Sequence, residues 1–449
     1  MRIKFLSVIV SFLIMSFAIS SCLNSDDDYE LSSDATLRAF GIDTIHGKYY
    51  KFTIDQLNRL IYNRDSLPVG SDTIIDRILI DTMTVTGWVT SGEPTDTLFL
   101  AADSVDLRPA MNNDVGMKFK IHAADGVSSR EYTLKVNVHL QDPDSLVWTN
   151  MQEKGNVFTN AVNAGEQKAV ILGNELLVYT SNTTVYKTST KVGQYSWSQA
   201  SVSNLPSDAK LTSAVSHKGI LYMVTKNKKV FTSTDGTTWT EATTLGDNVI
   251  ALISGFSDRL AGIVEIDGKQ YFNTCDGQNW EPAKEGDNIL LNAVPAEFPI
   301  ENISSTPTTT GNGVEKVFLV GMPLPNEDRT IPWFSLDGKD WASATNSSYD
   351  AYCPGMPNPS IMYYGGMFYS FGGEMDAIYY AISGIAWYKM EKKFLLPQEF
   401  KDKGAYSMVV DPTVNPEDKR DFIWVIFGGN GTKNEVWRGR LNRLGFLIQ

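Results

Sequence analysis

Cysteine and histidine are scarce in this chain, and their scarcity removes whole classes of chemistry. Three cysteines and four histidines stand among 449 residues. Away from Cys22, only Cys275 and Cys353 remain, too few for a disulfide-stapled scaffold. Cys275 takes the place in its repeat that Thr234 takes in another copy, which reads as a small, at least half-buried residue rather than one end of a bridge. His217 is the only histidine past residue 150, and no His-Glu-x-x-His pattern occurs, so a histidine-based metal site or hydrolytic triad has no material; no cofactor and no metal are expected. His217 is expected on an inner strand as a hydrogen-bonded core residue. Positive charge is also thin: net charge is −13, and residues 23–146 carry 20 acidic against 11 basic side chains, net −9. Such a surface repels phosphate backbones, so nucleic acid is not an expected partner. Long hydrophobic runs are missing too. The apolar stretch from Phe5 to Ile19 falls short of the ~20 residues that span a bilayer.

That stretch has another use. Arg2 and Lys4 precede it, and Ile19-Ser20-Ser21-Cys22 ends it, the layout of a cleaved signal peptide over residues 1–22. The Cys22 segment resembles a bacterial lipobox, whose thiol takes a diacylglycerol as a thioether, so Cys22 is the expected lipid attachment. Ser25-Asp26-Asp27-Asp28-Tyr29-Glu30 is similar to the acidic export signal of surface lipoproteins from a Gram-negative phylum. The expectation is an outer-membrane lipoprotein, displayed outward, with residues 23–34 as an acidic flexible tether.

What the chain has in quantity is short strands. Between residues 35 and 141, Met117–Ile121 alternates apolar with polar, and so do Tyr132, Leu134, Val136, Val138 and Leu140 with their neighbours, the period of a half-buried strand. Ala124–Ser129 is the hairpin connection between them. Further strands are expected at Leu37–Ile42, Ile78–Gly87 and Thr97–Leu100, with a short helix over Gln56–Tyr62. The segment 123–136, Ala-Ala-Asp-Gly-Val-Ser-Ser-Arg-Glu-Tyr-Thr-Leu-Lys-Val, resembles cadherin-like and immunoglobulin-like β-sandwiches of bacterial surface proteins, which implies a spacer domain. The clustered acidic motifs of cadherin calcium sites are not seen, so calcium is not carried over. Asp142-Pro143-Asp144 reads as the linker.

From residue 145 to 449 a repeat takes over. Three copies end in Ser233-Thr-Asp235-Gly236-Thr-Thr-Trp239, Thr274-Cys-Asp276-Gly277-Gln-Asn-Trp280 and Ser335-Leu-Asp337-Gly338-Lys-Asp-Trp341, with degenerate copies at Trp197, Trp387 and Phe446. Trp197, Trp239 and Trp280 are spaced by 42 and 41 residues. A period of about 40–45 residues is that of a four-stranded propeller blade. The whole is therefore expected to be all-β: an N-terminal β-sandwich followed by a propeller of six blades, with seven as the alternative. Blade three is expected to end on a strand over Asn279–Pro282, and blade four to be stretched by a Ser304–Gly313 loop. Leu146–Met151 is expected to close the ring by joining the last blade, with Leu444–Ile448 as the other possible partner.

The Ser-x-Asp-Gly-x-x-Trp turn resembles the Asp-box of sialidase-like propellers, one residue shorter. Gly372-Gly373, Gly428-Gly429 and the Glu435–Arg438 strand look like kelch repeats. Both resemblances imply a propeller and no activity. In the turn, Ser and Asp accept backbone N–H bonds, Gly takes a positive φ and Trp fills the space between blades. A sialidase would need three arginines converging on a carboxylate. Residues 151–449 hold six (Arg259, Arg329, Arg420, Arg438, Arg440, Arg443), three of them on one strand and its turn. Glu265, Glu297, Glu374 and Asp376 are candidate acids for a glycosidase by composition alone, and nothing in their spacing pairs them. No catalytic residue is assigned. The loops Pro323–Pro332 and Tyr349–Pro359 are aromatic- and proline-rich, with Tyr349 and Tyr352 as candidate ligand residues. Taken whole, the chain resembles an uncharacterised family of bacterial surface lipoproteins with a cadherin-like module and a kelch/Asp-box propeller. The expectation is a non-enzymatic binding or scaffold protein that recognises a glycan or a protein on the propeller face. A hydrolase of extracellular polysaccharide or glycoprotein is the alternative, and two facing acids in the central funnel would distinguish it.

Overall fold

A computed structural model of the chain describes residues 30–92, 96–100, 103–111, 114–151, 167–191, 193–322, 328–344, 351–401, 403, 406–411, 422–428 and 435–442. The chain divides into two compact units, with the boundary after Pro143. Cys22, the signal peptide and most of the tether lie outside the described residues, as do Tyr349, Gly429, Phe446 and the 444–448 segment. Among the described residues no helix is long and apolar enough to cross a membrane.

The N-terminal unit is all β. Strands β1 (Ala39–Gly41), β2 (Phe52–Asp55), β3 (Leu60–Asn63), β4 (Thr82–Thr84), β5 (Trp88–Ser91), β6 (Met117–His122) and β7 (Ser129–Lys135) form a five-stranded sheet, β2-β3-β7-β6-β5, and a two-stranded one, β1-β4. The alternation seen in the sequence sets the burial. Phe119, Ile121, Tyr132 and Leu134 are wholly buried and share one core with Phe40 of β1. The Tyr132 hydroxyl donates to Gln56 Oε1 (2.7 Å), and Gln56 Nε2 donates to the Leu37 carbonyl (2.6 Å), so a buried ring keeps its polar end satisfied. Asp125 Oδ1 accepts from the Val127 and Ser128 amides and holds the β6–β7 hairpin.

Several expectations fail here. Gln56–Tyr62 is a hairpin and not a helix. Asp55 Oδ1 accepts from the Leu57 and Asn58 amides, Arg59 takes φ +53°, and Ile54 pairs with Ile61 across the strands. The side-chain cap competes with helical bonding and wins. Thr97–Leu100 lies antiparallel beside β5, its Thr97 carbonyl accepting from the Ser91 amide (2.8 Å) and its Phe99 amide donating to the Val89 carbonyl (2.9 Å), but it forms one bridge, Leu98 to Thr90, rather than a full strand. The tether ends early, since Ser32 already accepts a bond from the Asp125 amide.

The second unit is a six-bladed propeller. Its sheets, from inner to outer strand, begin with Lys168–Leu172, Val215–His217, Val249–Gly255, Ser304–Thr309, Ser360–Tyr364 and Tyr406–Asp411. Six hydrophobic clusters fill the seams. Trp239 sits in the seam between blades one and two, Trp280 between two and three, Trp341 between three and four, and Trp387 between four and five. The remaining two clusters join blades five to six and six to one, so no blade lacks a partner on either side. Ser145–Asn150 pairs antiparallel with Glu435–Asn442 from Ser145↔Asn442 to Asn150↔Trp437. The first strand of the unit is thus the outermost strand of its last blade, and the ring leaves no open edge there.

Two blades depart from the sequence reading. Ser304–Gly313 is not a loop: Ser304–Thr309 is the inner strand of blade four, its β-branched threonines suiting a pleated edge. In blade three, Asn279–Pro282 forms no continuous strand: it makes the bridge Cys275↔Trp280, a Glu281 amide bond to the Thr274 carbonyl, and an Asp276 amide bond to the Asn279 carbonyl. Pro282 has no N–H to continue the ladder. The chain leaves in a small hairpin (Lys284–Glu285 with Asn288–Ile289) and returns at Asn292–Val294 to complete the edge along Gln270–Phe272.

Candidate functional site

The repeated turns join one blade to the next. In blade two, Asp235 Oδ1 accepts from the amides of Thr237 and Thr238 (both 2.7 Å), and Ser233 Oγ accepts from the Gly236 amide (2.9 Å). Those bonds hold the Asp235 carboxyl well below the usual carboxylate range, the Thr238 amide contributing most. The Gly236 carbonyl then accepts from the Tyr179 hydroxyl of blade one (2.7 Å), and Tyr179 meets Trp239 edge-on at 5.8 Å. Gly277 and Tyr222 repeat the carbonyl–hydroxyl contact between blades three and two (3.2 Å). Asp276 caps Gln278 and Asn279; Asp337 caps Lys339 and Asp340; Ser335 accepts from Gly338. Trp280 donates to the Leu245 carbonyl (3.0 Å), and Trp341 donates to Gly338 while packing on Phe272 and Phe298. The degenerate copy keeps the plan, with Trp387 donating to Gly384 (3.1 Å). All of these groups are spent on holding blades together.

Chemistry is concentrated at the hub instead. The leading ends of all six inner strands surround one cavity of about 420 Å³. Blade one brings Lys168; blade two Lys210, Thr212, Ser213 and Lys226; blade three Ile250; blade four Glu301 and Asn302; blade five Asn358 and Ser360; blade six Tyr406 and Ser407. The rim is cross-linked from blade to blade. The Ala169 amide donates to Ser407 Oγ (2.7 Å), the Ile361 amide to Ser304 Oγ (3.0 Å), Ser305 Oγ to the Ile253 carbonyl (2.9 Å), and the Tyr406 hydroxyl to the Asn358 carbonyl (2.9 Å). Short hydroxyl side chains thus satisfy inner-strand backbone groups that have no neighbouring strand.

The charges in the cavity are unbalanced. Three lysines face a single carboxylate, Glu301, and none of the four forms an ion pair among the described residues. Lys168 is half-buried, and desolvation pushes its ammonium down to about 8. A chain of net charge −13 has gathered three lysines, with no ion pair among the described residues, at the hub of its propeller.

Of the residues singled out in the sequence, the end of the Tyr349–Pro359 loop reaches this cavity through Asn358 and Pro359, while Tyr352 and the candidate acids do not line it. Tyr352 lies under the Arg329 guanidinium at 4.6 Å, and the two proline-rich loops pair with each other through Arg329↔Pro354. The candidate acids Glu265, Glu297, Glu374 and Asp376 are absent from the lining, and Glu265 is held by Lys228 at 2.6 Å. Among the described arginines none reaches the cavity: Arg259 pairs with Asp258, and Arg438 is half-buried against Tyr195 and Phe422. His217 is buried at the end of its inner strand, but its Nε2 has no partner among the described residues, so the expected satisfied core histidine is only half met. Among the described residues no three His, Cys, Asp or Glu side chains cluster closely enough to hold a metal. The lysines escaped the sequence reading because they follow no motif. Lys168 and Lys210 can be found only by asking which basic residues lie where an inner strand begins.

No curated protein matches the chain in sequence. Among solved structures it is similar to the α-L-arabinofuranosidase Arb93A from Fusarium graminearum (13% identity, TM-score 0.35, covering 64% of this chain and 98% of that one). It is also similar to YCF48 bound to D1 peptide (11% identity, TM-score 0.35, covering 67% and 97%). Likeness at that level carries no argument about ligand or activity. The repeat, the six seams and the β-rich N-terminal unit agree with a closer match at the level of families: residues 142–449 match the DUF6242 beta propeller domain and residues 22–136 the DUF6242 N-terminal domain, and the chain belongs to that family.

Proposed function

We propose that the protein is a binding or scaffold protein, anchored in the outer membrane through a lipid on Cys22 and displayed at the cell surface, that takes a glycan or a protein at the hub of its propeller. The observation that carries this reading is the hub cavity, to which all six blades contribute and five of them bring polar side chains, blade three supplying the apolar Ile250. Its volume lies within the ~300–1,000 Å³ of ligand sites. A two-carboxylate glycosidase would need a second acid about 5–10 Å from Glu301, and among the described residues Glu301 is the only carboxylate in the lining. That favours binding over hydrolysis. On the segment 123–136 we read the N-terminal unit as a cadherin-like spacer. On the Ser-x-Asp-Gly-x-x-Trp geometry and the Gly372-Gly373 pair we read the blades as Asp-box and kelch relatives.

The test is a glycan array probed with the chain and with Ile250→Trp, which fills the cavity from blade three, followed by mass spectrometry of the bound glycans. Binding that disappears in Ile250→Trp, with the glycan recovered intact, supports the reading; a cleaved glycan would replace it with the hydrolase. For the anchor, cells fed a labelled fatty acid should label the native chain and not Cys22→Ser, and intact cells should bind antibody to the propeller. Loss of antibody binding after replacement of Asp26, Asp27 and Asp28 by asparagine is expected if the acidic run directs export.

A further inference from the structure

We propose that the hub cavity recognises an acidic sugar, a uronic-acid unit of a polysaccharide, whose carboxylate is held by Lys168, Lys210 and Lys226. The inference rests on the hub being the binding site. It goes further by naming what the site takes.

Three lysines line one cavity, and none of them forms an ion pair with a carboxylate among the described residues. Buried or half-buried charge is ordinarily paired, because an isolated ammonium loses hydration without return. The fold keeps Lys168 half-buried at the start of an inner strand, with no anion among the described residues to meet it. A ligand carboxylate would supply the missing partner, and the low-dielectric wall would strengthen the attraction. Glu301 on the opposite side sets a direction, since it repels the acid end and accepts hydroxyl donors.

The rest of the lining suits a sugar better than a peptide. Asn302 and Asn358 project amides that donate and accept at once, as ring hydroxyls require, and the two are already in contact (3.3 Å). Tyr406 offers no free stacking face: its hydroxyl is bonded to Asn358 and Ser360, and its ring lies against Phe371 and Phe427. Recognition would therefore be polar and charge-led rather than aromatic.

The experiment is titration calorimetry of the whole chain at pH 7 against trigalacturonate, its neutral galactose counterpart and triglutamate peptide, repeated with Lys168→Met, Lys210→Met, Glu301→Gln and Ile250→Trp. Lys168→Met keeps most of the side chain's length and removes a half-buried charge, so it should fold at least as well as the native chain. The expected result is binding of trigalacturonate alone, weakened about tenfold to a hundredfold by each lysine change, strengthened by Glu301→Gln and abolished by Ile250→Trp. The gain in Glu301→Gln is a readout that a structural role would not produce. Equal binding of the neutral sugar, indifferent to Lys168→Met but lost in Ile250→Trp, would overturn the acid and leave the hub as the site. Preference for triglutamate would overturn the sugar. Uronate binding that survives Ile250→Trp, or no binding of uronate at all, would overturn the proposal itself.

Discussion

The turn at Gly236 offers a quantitative test of how blades are held to one another. Gly236 and Gly219 adopt nearly the same left-handed backbone, φ +73° and +75°. Their surroundings differ. A Cβ at Gly219 would meet nothing within 4 Å, whereas one at Gly236 would stand 2.7 Å from Leu177 Cδ1 and 3.3 Å from the Tyr179 hydroxyl of the preceding blade. Gly219→Ala should therefore show backbone strain alone, about 1–2 kcal/mol, offset in part by about 0.4–1 kcal/mol of lost freedom in the unfolded chain. Gly236→Ala adds overpacking of about 1–3 kcal/mol, for a total of roughly 1–5 kcal/mol. Urea unfolding followed by tryptophan fluorescence reads the propeller, because nine of the ten tryptophans lie beyond Pro143. Leu177→Ala removes the contacted methyls, so Leu177→Ala with Gly236→Ala should cost about 1–3 kcal/mol less than the two single changes added. Equal losses at Gly219 and Gly236, or strict additivity with Leu177→Ala, would refute the view that this turn bears on the neighbouring blade.

Other outcomes follow from the same reasoning. Lys168 has a folded pKa of about 8, below its unfolded value near 10.5, so burying its charged form costs stability below pH 8 and the cost fades as pH rises towards 10.5. Lys168→Met should raise the melting temperature at pH 7, by an amount equivalent to roughly 1–3 kcal/mol after discounting for its partial exposure, and the gain should shrink by pH 10. The cavity's other charged or titratable groups, Lys210, Lys226, Glu301 and Tyr406, are unchanged in that comparison. Cys275 and Cys353 are free, and burial pushes their thiols up to about 11 and 12; a Cys22→Ser chain should show no fast-reacting thiol at pH 8 until urea exposes both. Asn63, fully buried, donates to the Asp65 and Asn137 carbonyls (both 2.8 Å) and accepts from the Asn137 amide (2.7 Å). Asn63→Ala should cost the N-terminal unit about 2–4 kcal/mol, visible as faster amide exchange in β3 and β7.

The repeat was legible in the sequence because its chemistry is local. Asp235 caps amides two and three residues ahead, Ser233 caps the Gly236 amide three ahead, and Trp239 follows at a fixed distance, so each copy writes its own turn. Alternation did the same for β6 and β7. Where two local signals competed, the reading failed. Gln56–Tyr62 looked helical until Asp55 capped the turn, and blade three lost its expected outer strand at Pro282, whose missing N–H was visible but whose substitute edge lay ten residues further on.

Sequence by itself therefore determined the blades, because a hairpin turn and its strands satisfy their backbone within a few residues. The tertiary structure alone decided the hub. Lys168, Lys210, Glu301 and Asn358 come from four different blades and share no spacing, and only the closing of the ring brings their charges and amides to one cavity.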